Sequence, residues 1–256
     1  MSHFVVMVIG DNPEGQLDPF WELDLPQSEA KHDPRAVFVM KIADKNLRDE
    51  YEKFKRECPE DIVKYPDAKE WVKEYSGYTY NAELEGWGYW HNPNAKWDWF
   101  SIGGCWRGYF KLKEGKTGVL GESGSFGEDK NRDYSGFADQ AKAGDIDWEG
   151  MITAKRLHLE ELWAKWEKEE KKDPTTACSD YGIEKGETKE HYMDNAKYAG
   201  TPFALLKDGK WYERGSMGWW GAVSDEKDRD SWDREVKKLL EGLPEDTLLT
   251  AVDCHI

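Results

Sequence analysis

Three residues near the two ends of the chain have side chains that are suited to acid–base chemistry. His3 precedes one apolar segment, and Asp253 and His255 lie in another at the opposite end of the sequence. An imidazole takes up or releases a proton near neutral pH, and a carboxylate bound to it fixes its tautomer. If the three side chains meet, one histidine can accept a proton, the other can donate one, and Asp253 can orient a ring.

The two apolar segments are predicted to be paired strands. Residues 4–9, FVVMVI, are continuously apolar and end at a Gly-Asp-Asn-Pro turn signal, which is typical of a strand buried on both faces. Residues 248–256, LLTAVDCHI, form a similar segment. Antiparallel pairing would place His3 opposite His255, with Asp253 on the same face. Parallel pairing, separated strands or a slip of one residue would disperse the three side chains.

The same three residues also suit a metal ion, since two imidazoles and a carboxylate can hold zinc or iron. No helical His-x-x-x-His pair accompanies them, and the four cysteines form no Cys-x-x-Cys motif. We therefore predict a site without a metal and without any other cofactor. The cysteines are expected to be reduced thiols.

A tryptophan-rich segment, residues 87–110, offers surfaces for a flat ligand. It holds five of the fourteen tryptophans. In a strand, Trp97 and Trp99 would share one face, and Asp98 and Phe100 the other. Most of these rings are expected to be core, because large aromatic side chains are usually buried, and a few would line a pocket.

Other candidate ligand-binding residues are aromatic or basic. Two tryptophans lie between glycines in the segment GWWG, and two arginines could neutralise a phosphate. Stacking on an aromatic ring contributes about 1–3 kcal/mol per nucleotide base. The predicted nucleotide site consists of Trp97, Asp98, Trp99, Arg107, Arg214, Trp219 and Trp220.

Length and patterning predict a single α+β domain over residues 1–256, with a Trp/Gly-rich irregular insertion at about 77–150. Its sheet is expected to be mixed, largely antiparallel, and to include the first and last strands. Helices would pack on it, the clearest being the amphipathic segment 154–172. Residues 137–143 are predicted to form a short helix.

Charge and hydropathy restrict the partners. The net charge of −16 disfavours duplex nucleic acid, and no apolar segment is long enough to cross a membrane. The sequence also begins without a secretory signal, so we expect a cytoplasmic protein. Self-association into a homo-oligomer stays open.

Three segments carry a resemblance to a known group: SHFVVMVIG at the start, NPNAKWDWFSIGG in the middle and VDCHI at the end. They resemble uncharacterised proteins encoded by bacteriophages and other mobile elements, along nearly the whole chain. The resemblance implies a phage origin and hence action in a host cytoplasm. Similar sequences are expected to have Arg where this chain has Cys105, a departure that makes Arg107 the better candidate for a phosphate contact.

These features favour an enzyme that acts on a small nucleotide and counters host defence signalling. In this interpretation His3 and His255 share acid and base duties in metal-independent phosphodiester hydrolysis. Two other classes stay open. One is a binding protein that sequesters the nucleotide intact, and the other is an acidic inhibitor that binds a protein.

Overall fold

The computed structural model describes residues 2–61, 64–124, 133–169, 181–218 and 221–256. The chain divides into two compact units. The first, here called the sheet unit, comprises the residues up to Gln16 and those from Trp99 to Ile256. The second, the inserted unit, is Leu17–Asp98. Compact units need not fold independently, so a single domain with an insertion at 77–150 stays a prediction.

In the described residues, strands and helices alternate along the chain without a regular repeat. The strands are β1 (His3–Ile9), β2 (Val37–Ala43), β3 (Thr79–Asn81), β4 (Gly86–His91), β5 (Trp99–Gly104), β6 (Phe110–Lys111), β7 (Glu122–Ser123), β8 (Phe137–Ala138), β9 (Gln140–Lys142), β10 (Ala204–Lys207), β11 (Lys210–Glu213), β12 (Ser216–Met217), β13 (Val223–Ser224) and β14 (Leu248–His255). The helices are α1 (Pro13–Leu17), α2 (Gln27–Ala30), α3 (Leu47–Glu57), α4 (Ala68–Glu70), α5 (Trp148–Glu169), α6 (Lys189–Asp194) and α7 (Arg229–Leu240). None of these helices has the length and apolar character needed to cross a bilayer.

The first and last strands lie side by side in a mixed seven-stranded sheet. The strand order is β11-β10-β1-β14-β5-β7, and β9 also pairs with β14. β1 is parallel to β10 and antiparallel to β14, which is in turn antiparallel to β5. The predicted α+β fold with a mixed sheet that includes both strands is therefore confirmed.

The predicted register of these two strands is also confirmed. His3 lies opposite His255, and Val5 lies opposite Asp253. Because alternate residues share a face, the three predicted acid–base residues project from the same side of the sheet. Every residue of Phe4–Ile9 is buried, as expected for a strand that lies between β10 and β14 inside the sheet.

The face that carries the acid–base residues continues into the main core. Met7 is fully buried and pairs with Leu205 on one side and Ala251 on the other. Trp232 and Val236 of α7 belong to the same hydrophobic cluster. The core therefore supports both the sheet and the strand ends that bear the site.

The inserted unit has its own sheet and core. Its strands are arranged β2-β4-β3 and are antiparallel. Asp67 caps α4, because its carboxylate accepts the backbone N–H groups of Lys69 and Glu70 at 2.8 and 2.9 Å. The core of this unit consists of Leu47, Tyr51, Phe54, Trp71, Val72 and Trp87.

Two local predictions are wrong. β5 begins at Trp99, so Trp97 does not share a strand with it. Trp97 instead forms an isolated bridge with Trp21, and its buried indole N–H donates to the Leu17 carbonyl at 3.2 Å. Residues 137–143 form β8 and β9 in place of the predicted helix, because pairing with β6 and β14 overrides local helix propensity.

We expect Met7→Ala to lower the free energy of unfolding by about 2–5 kcal/mol, because it opens a cavity in the main core. Met40→Ala is the matched control, since Met40 is also a strand residue but is 48% exposed, and should change stability by less than about 0.5 kcal/mol. Urea unfolding of the two variants measures the difference. Equal losses would contradict the assignment of Met7 to the core.

Candidate active site

Asp253 is the buried residue that bonds to the other groups of the site. Its side chain is fully buried. Oδ1 lies 3.0 Å from Nδ1 of His3, and Oδ2 accepts the backbone N–H of Cys105 at 2.8 Å. A buried carboxylate without partners would cost several kcal/mol, so having a partner on each oxygen fixes its orientation.

The contact with Asp253 determines where His3 carries its proton. A carboxylate accepts hydrogen bonds, so Nδ1 is the protonated nitrogen of the neutral ring and Nε2 keeps its lone pair. The His3 side chain is 17% exposed, whereas Asp253 is inaccessible. A histidine held in this tautomer by a buried carboxylate is suited to act as a general base through Nε2.

His255 and Trp99 form an aromatic group with His3. The two imidazole centroids are 5.1 Å apart, with ring planes at 71°. Trp99 stacks on His255, with ring centroids 5.6 Å apart and ring planes at 18°. It contacts His3 edge-on, with a centroid distance of 5.6 Å. His255 is buried, but Trp99 is 41% exposed. Part of the indole is therefore accessible to solvent beside the two histidines.

Two glycines allow the chain to turn close to Asp253. Gly103 and Gly104 have φ angles of +83° and +54°, a region that disfavours other residues. A Cβ atom added to Gly104 would overlap the Asp253 side chain. The turn then presents the N–H of Cys105 to the carboxylate. The Gly-Gly pair thus permits the close approach of the chain to the Asp253 side chain.

Cys105 adds a third metal-ligating group. Its Sγ lies 3.7 Å from Nδ1 of His3. One ligand atom from each of His3, Cys105 and Asp253 lies within 4.8 Å of the other two. An imidazole nitrogen, a thiolate sulfur and a carboxylate oxygen are all zinc ligands. These three residues could hold a metal. In the ligand set considered from the sequence, His255 took the position that Cys105 has here.

A cavity of about 280 Å³, here called the arginine cavity, adjoins His3. Phe203 forms part of one wall of the cavity. Its backbone is held against β1, because its N–H donates to the carbonyl of Val5 at 3.0 Å. The polar and aromatic side chains that line the cavity include His3, Trp106, Tyr198, Arg214, Arg229 and Trp232.

Two arginines line the cavity. Arg214 pairs with Glu226 at 2.9 Å, and the guanidinium of Arg229 lies 4.2 Å from the ring centroid of Tyr198. Desolvation, the largest cause, and the positive charge of Arg214 both lower the pKa of Arg229, against the raising effects of Tyr198 and Asp233. Since the two lowering effects disfavour the charged guanidinium, an anion in the cavity would offset them.

Arg107 lies elsewhere on the sheet unit. It donates to Oγ of Ser123 at 2.8 Å, and its guanidinium lies 5.0 Å from the Tyr134 ring centroid. Within the described part of the chain it does not contribute to the arginine cavity. Of the two arginines predicted to bind phosphate, only Arg214 lines that cavity.

The predicted aromatic residues also separate. Trp97 and Asp98 belong to the inserted unit, where Trp97 is buried. Trp99 lies beside His3 and His255. Trp219 and Trp220 lie outside the described residues. The structure thus brings together His3, Asp253, His255 and Trp99, with Arg214 in the adjoining cavity.

Sequence reasoning missed three residues of the site. Cys105 lies far from the other cysteines in the sequence, so no metal-binding spacing reveals it. Arg229 precedes the apolar positions of α7 and looks like an ordinary solvated residue at a helix start. Trp106 was counted only within the tryptophan-rich segment. The single signal that could have found Cys105 is the preceding glycine pair.

Comparison with protein-family models, curated proteins and solved structures finds no match to this chain. The resemblance to phage-encoded proteins therefore stays a prediction. The function must be argued from the geometry and charge of the site.

Gly104→Ala should destabilise the protein more than Gly115→Ala. Gly115 also has a positive φ, +74°, but an added Cβ there would have no neighbour within 4 Å. We expect about 1 kcal/mol for the backbone strain at Gly115 and about 1–3 kcal/mol more at Gly104, because the Asp253 carboxylate is displaced from its partners. Urea unfolding measures the loss in the free energy of unfolding for each variant. Equal losses would show that Gly104 does not position Asp253.

Proposed function

We propose that the protein binds a small nucleotide in the arginine cavity and hydrolyses a phosphodiester bond of that nucleotide, with His3 as general base. One observation carries the proposal: His3, bonded to the buried Asp253, lines the same cavity as Arg214 and Arg229. Guanidinium groups bind phosphate oxygens through charge-assisted hydrogen bonds. A base beside two phosphate-binding groups supplies the activation of water and the charge stabilisation that hydrolysis requires, and an acid completes the set.

The size of the cavity favours a small ligand. A volume of about 280 Å³ lies at the lower end of ligand sites, which typically measure about 300–1,000 Å³. It suits a phosphate with its sugar better than a whole dinucleotide. Trp106 in the cavity wall, or the exposed part of Trp99, would supply a surface on which the base stacks.

The proposed reaction needs one base and one acid. Nε2 of His3 takes a proton from water, whose oxygen attacks phosphorus. The bond from phosphorus to the leaving oxygen breaks, and that oxygen receives a proton from the acid. Arg214 and Arg229 stabilise the negative charge of the transition state. His255 is the predicted acid, and its ring centroid lies 5.1 Å from that of His3.

A second function, sequestration without cleavage, is favoured by the placement of His255. This residue is buried and does not line the arginine cavity within the described part of the chain. Only one of the two predicted proton-transfer residues therefore reaches the proposed ligand. A protein with this arrangement would bind the nucleotide and retain it intact.

The proposed setting is the cytoplasm of a phage-infected cell, where removal of a nucleotide signal would counter a defence response. The phage origin rests on the resemblance of the sequence, and two observations bear on the compartment and the ligand. Cys58, Cys105 and Cys254 form no disulfide, as expected in a reducing compartment. The net charge of −16 disfavours duplex nucleic acid as the partner. A small nucleotide is the better candidate, because it needs only a local site with positive groups.

The experiment is incubation of the pure protein with a panel of cyclic and linear nucleotides, followed by mass spectrometry of the free and protein-bound pools. New products would support hydrolysis. Depletion of an intact compound from the free pool would support sequestration. If neither occurs, both functions are contradicted and a protein partner becomes the better hypothesis.

His3→Ala should lower the hydrolysis rate by about 10²–10⁴-fold, the usual contribution of a general base, while nucleotide binding persists. His191→Ala is the matched control, because the His191 side chain is 76% exposed on α6. Rates from product formation and affinities from calorimetry separate the two effects. An unchanged rate in His3→Ala would remove His3 from the reaction.

Arg229→Gln should weaken nucleotide binding by about 10–100-fold, because a charged hydrogen bond contributes about 1.5–3 kcal/mol. Arg214→Gln should have a similar effect. Arg234→Gln tests the same change on the exposed side of α7, where Arg234 donates to Oγ of Ser231, and should bind normally. Calorimetric titration measures all three. Normal binding by both cavity variants would place the ligand elsewhere.

A further inference from the structure

We propose that His3, Cys105 and Asp253 form a binding site for Zn²⁺ with one coordination position left open. The inference concerns the Nδ1 side of His3, whereas the proposed nucleotide reaction uses Nε2. It therefore does not rest on that reaction, and it would hold in a protein that bound no nucleotide.

The separations of the ligand atoms are close to those of a zinc site. With Zn–N near 2.0–2.1 Å and Zn–S near 2.3 Å, tetrahedral geometry sets the nitrogen-to-sulfur distance at about 3.5 Å and the nitrogen-to-oxygen distance at about 3.3 Å. The corresponding distances are 3.7 Å from His3 Nδ1 to Cys105 Sγ and 3.0 Å from His3 Nδ1 to Asp253 Oδ1. Both distances are within a few tenths of an ångström of the tetrahedral values, and the three ligand atoms all lie within 4.8 Å of one another.

The protein holds each ligand in place through a different element. His3 and Asp253 are on the paired strands β1 and β14. Cys105 follows the turn at Gly103 and Gly104, and its backbone N–H binds Oδ2 of Asp253. That bond leaves Oδ1 as the oxygen directed at His3. Such a contact to the oxygen that does not bind the metal is typical of metal sites, where it orients the ligating carboxylate.

The donor set selects the class of metal. A thiolate with an imidazole favours zinc and related transition metals over Mg²⁺ and Ca²⁺, which prefer oxygen ligands. Three protein ligands leave the fourth tetrahedral position for water or for a ligand oxygen. Cys105 is exposed, so an ion can reach the site from solvent.

Metal binding would change the protonation of His3. An imidazole that coordinates through Nδ1 carries its remaining proton on Nε2, so it cannot accept another there. The zinc-bound form would therefore lack the base of the proposed hydrolysis. Zinc binding and general-base catalysis are alternative uses of one residue, and they can be measured separately.

The test uses Co²⁺ as a spectroscopic substitute in reduced protein that has been stripped with EDTA and exchanged into metal-free buffer. The wild type should bind one Co²⁺ per chain with a thiolate-to-cobalt charge-transfer band, and Zn²⁺ should displace it. Cys105→Ser should lose the band and bind Zn²⁺ at least about tenfold more weakly. Cys58→Ser changes a thiol in the inserted unit and should keep both properties.

Two results would overturn the site: no stoichiometric binding of Co²⁺ or Zn²⁺ by the wild type, or a charge-transfer band that survives in Cys105→Ser. Circular dichroism checks that the variant folds. If it does not, alkylation of Cys105 in the folded wild type provides the same comparison. Nucleotide binding, measured on the same metal-free sample, is scored separately, so failure of the proposed function and failure of the metal site remain distinguishable.

Discussion

The site depends on one buried charge, the carboxylate of Asp253. A carboxylate in the interior of a sheet is tolerated only when its oxygens have partners. Here the partners come from distant parts of the sequence, His3 from β1 and the N–H of Cys105 from the turn after β5. A slip of one residue between β1 and β14 would turn Asp253 to the other face and separate it from His3. The register of the strands and the chemistry of the site therefore have the same physical basis.

The position of β1 in the sheet connects this carboxylate to the arginine cavity. On one side, β14 supplies Asp253 to His3. On the other side, β10 runs parallel to β1, and Phe203 just before it binds the carbonyl of Val5. Arg214 follows the hairpin partner β11, and its N–H binds the carbonyl of Phe203. One strand thus has the contact between His3 and Asp253 at one edge and the arginine-lined wall of the cavity at the other.

The sequence was most informative where local pattern and burial agree. The continuous apolar segments at the two ends predicted β1, β14 and their pairing, because only a central strand buries both faces. The chemistry of His3 and Asp253 followed from that register. The turn between β10 and β11 is another such case: an Asp-Gly pair is typical of a tight hairpin, and Asp208 and Gly209 both adopt positive φ there.

Other parts of the site depend on information that a local pattern does not contain. Trp97 and Trp99 alternate as strand residues do, but the boundary between the two units falls after Asp98. The approach of Cys105 to Asp253 requires the backbone angles of two glycines. Arg229 comes to the cavity through the packing of α7 on the core, and no spacing relative to His3 reveals it.

The position of the proton on His3 can be observed by two-bond ¹⁵N–¹H correlation spectroscopy of the histidine side chains in metal-free protein. The spectrum distinguishes the two tautomers of a neutral imidazole, because a protonated ring nitrogen and one with a free lone pair have different chemical shifts. We expect His3 to carry its proton on Nδ1, and Asp253→Asn to change its spectrum while that of the exposed His191 stays the same. A wild-type His3 protonated on Nε2 could not donate from Nδ1 to Asp253, and the bond from which the site is built would not exist.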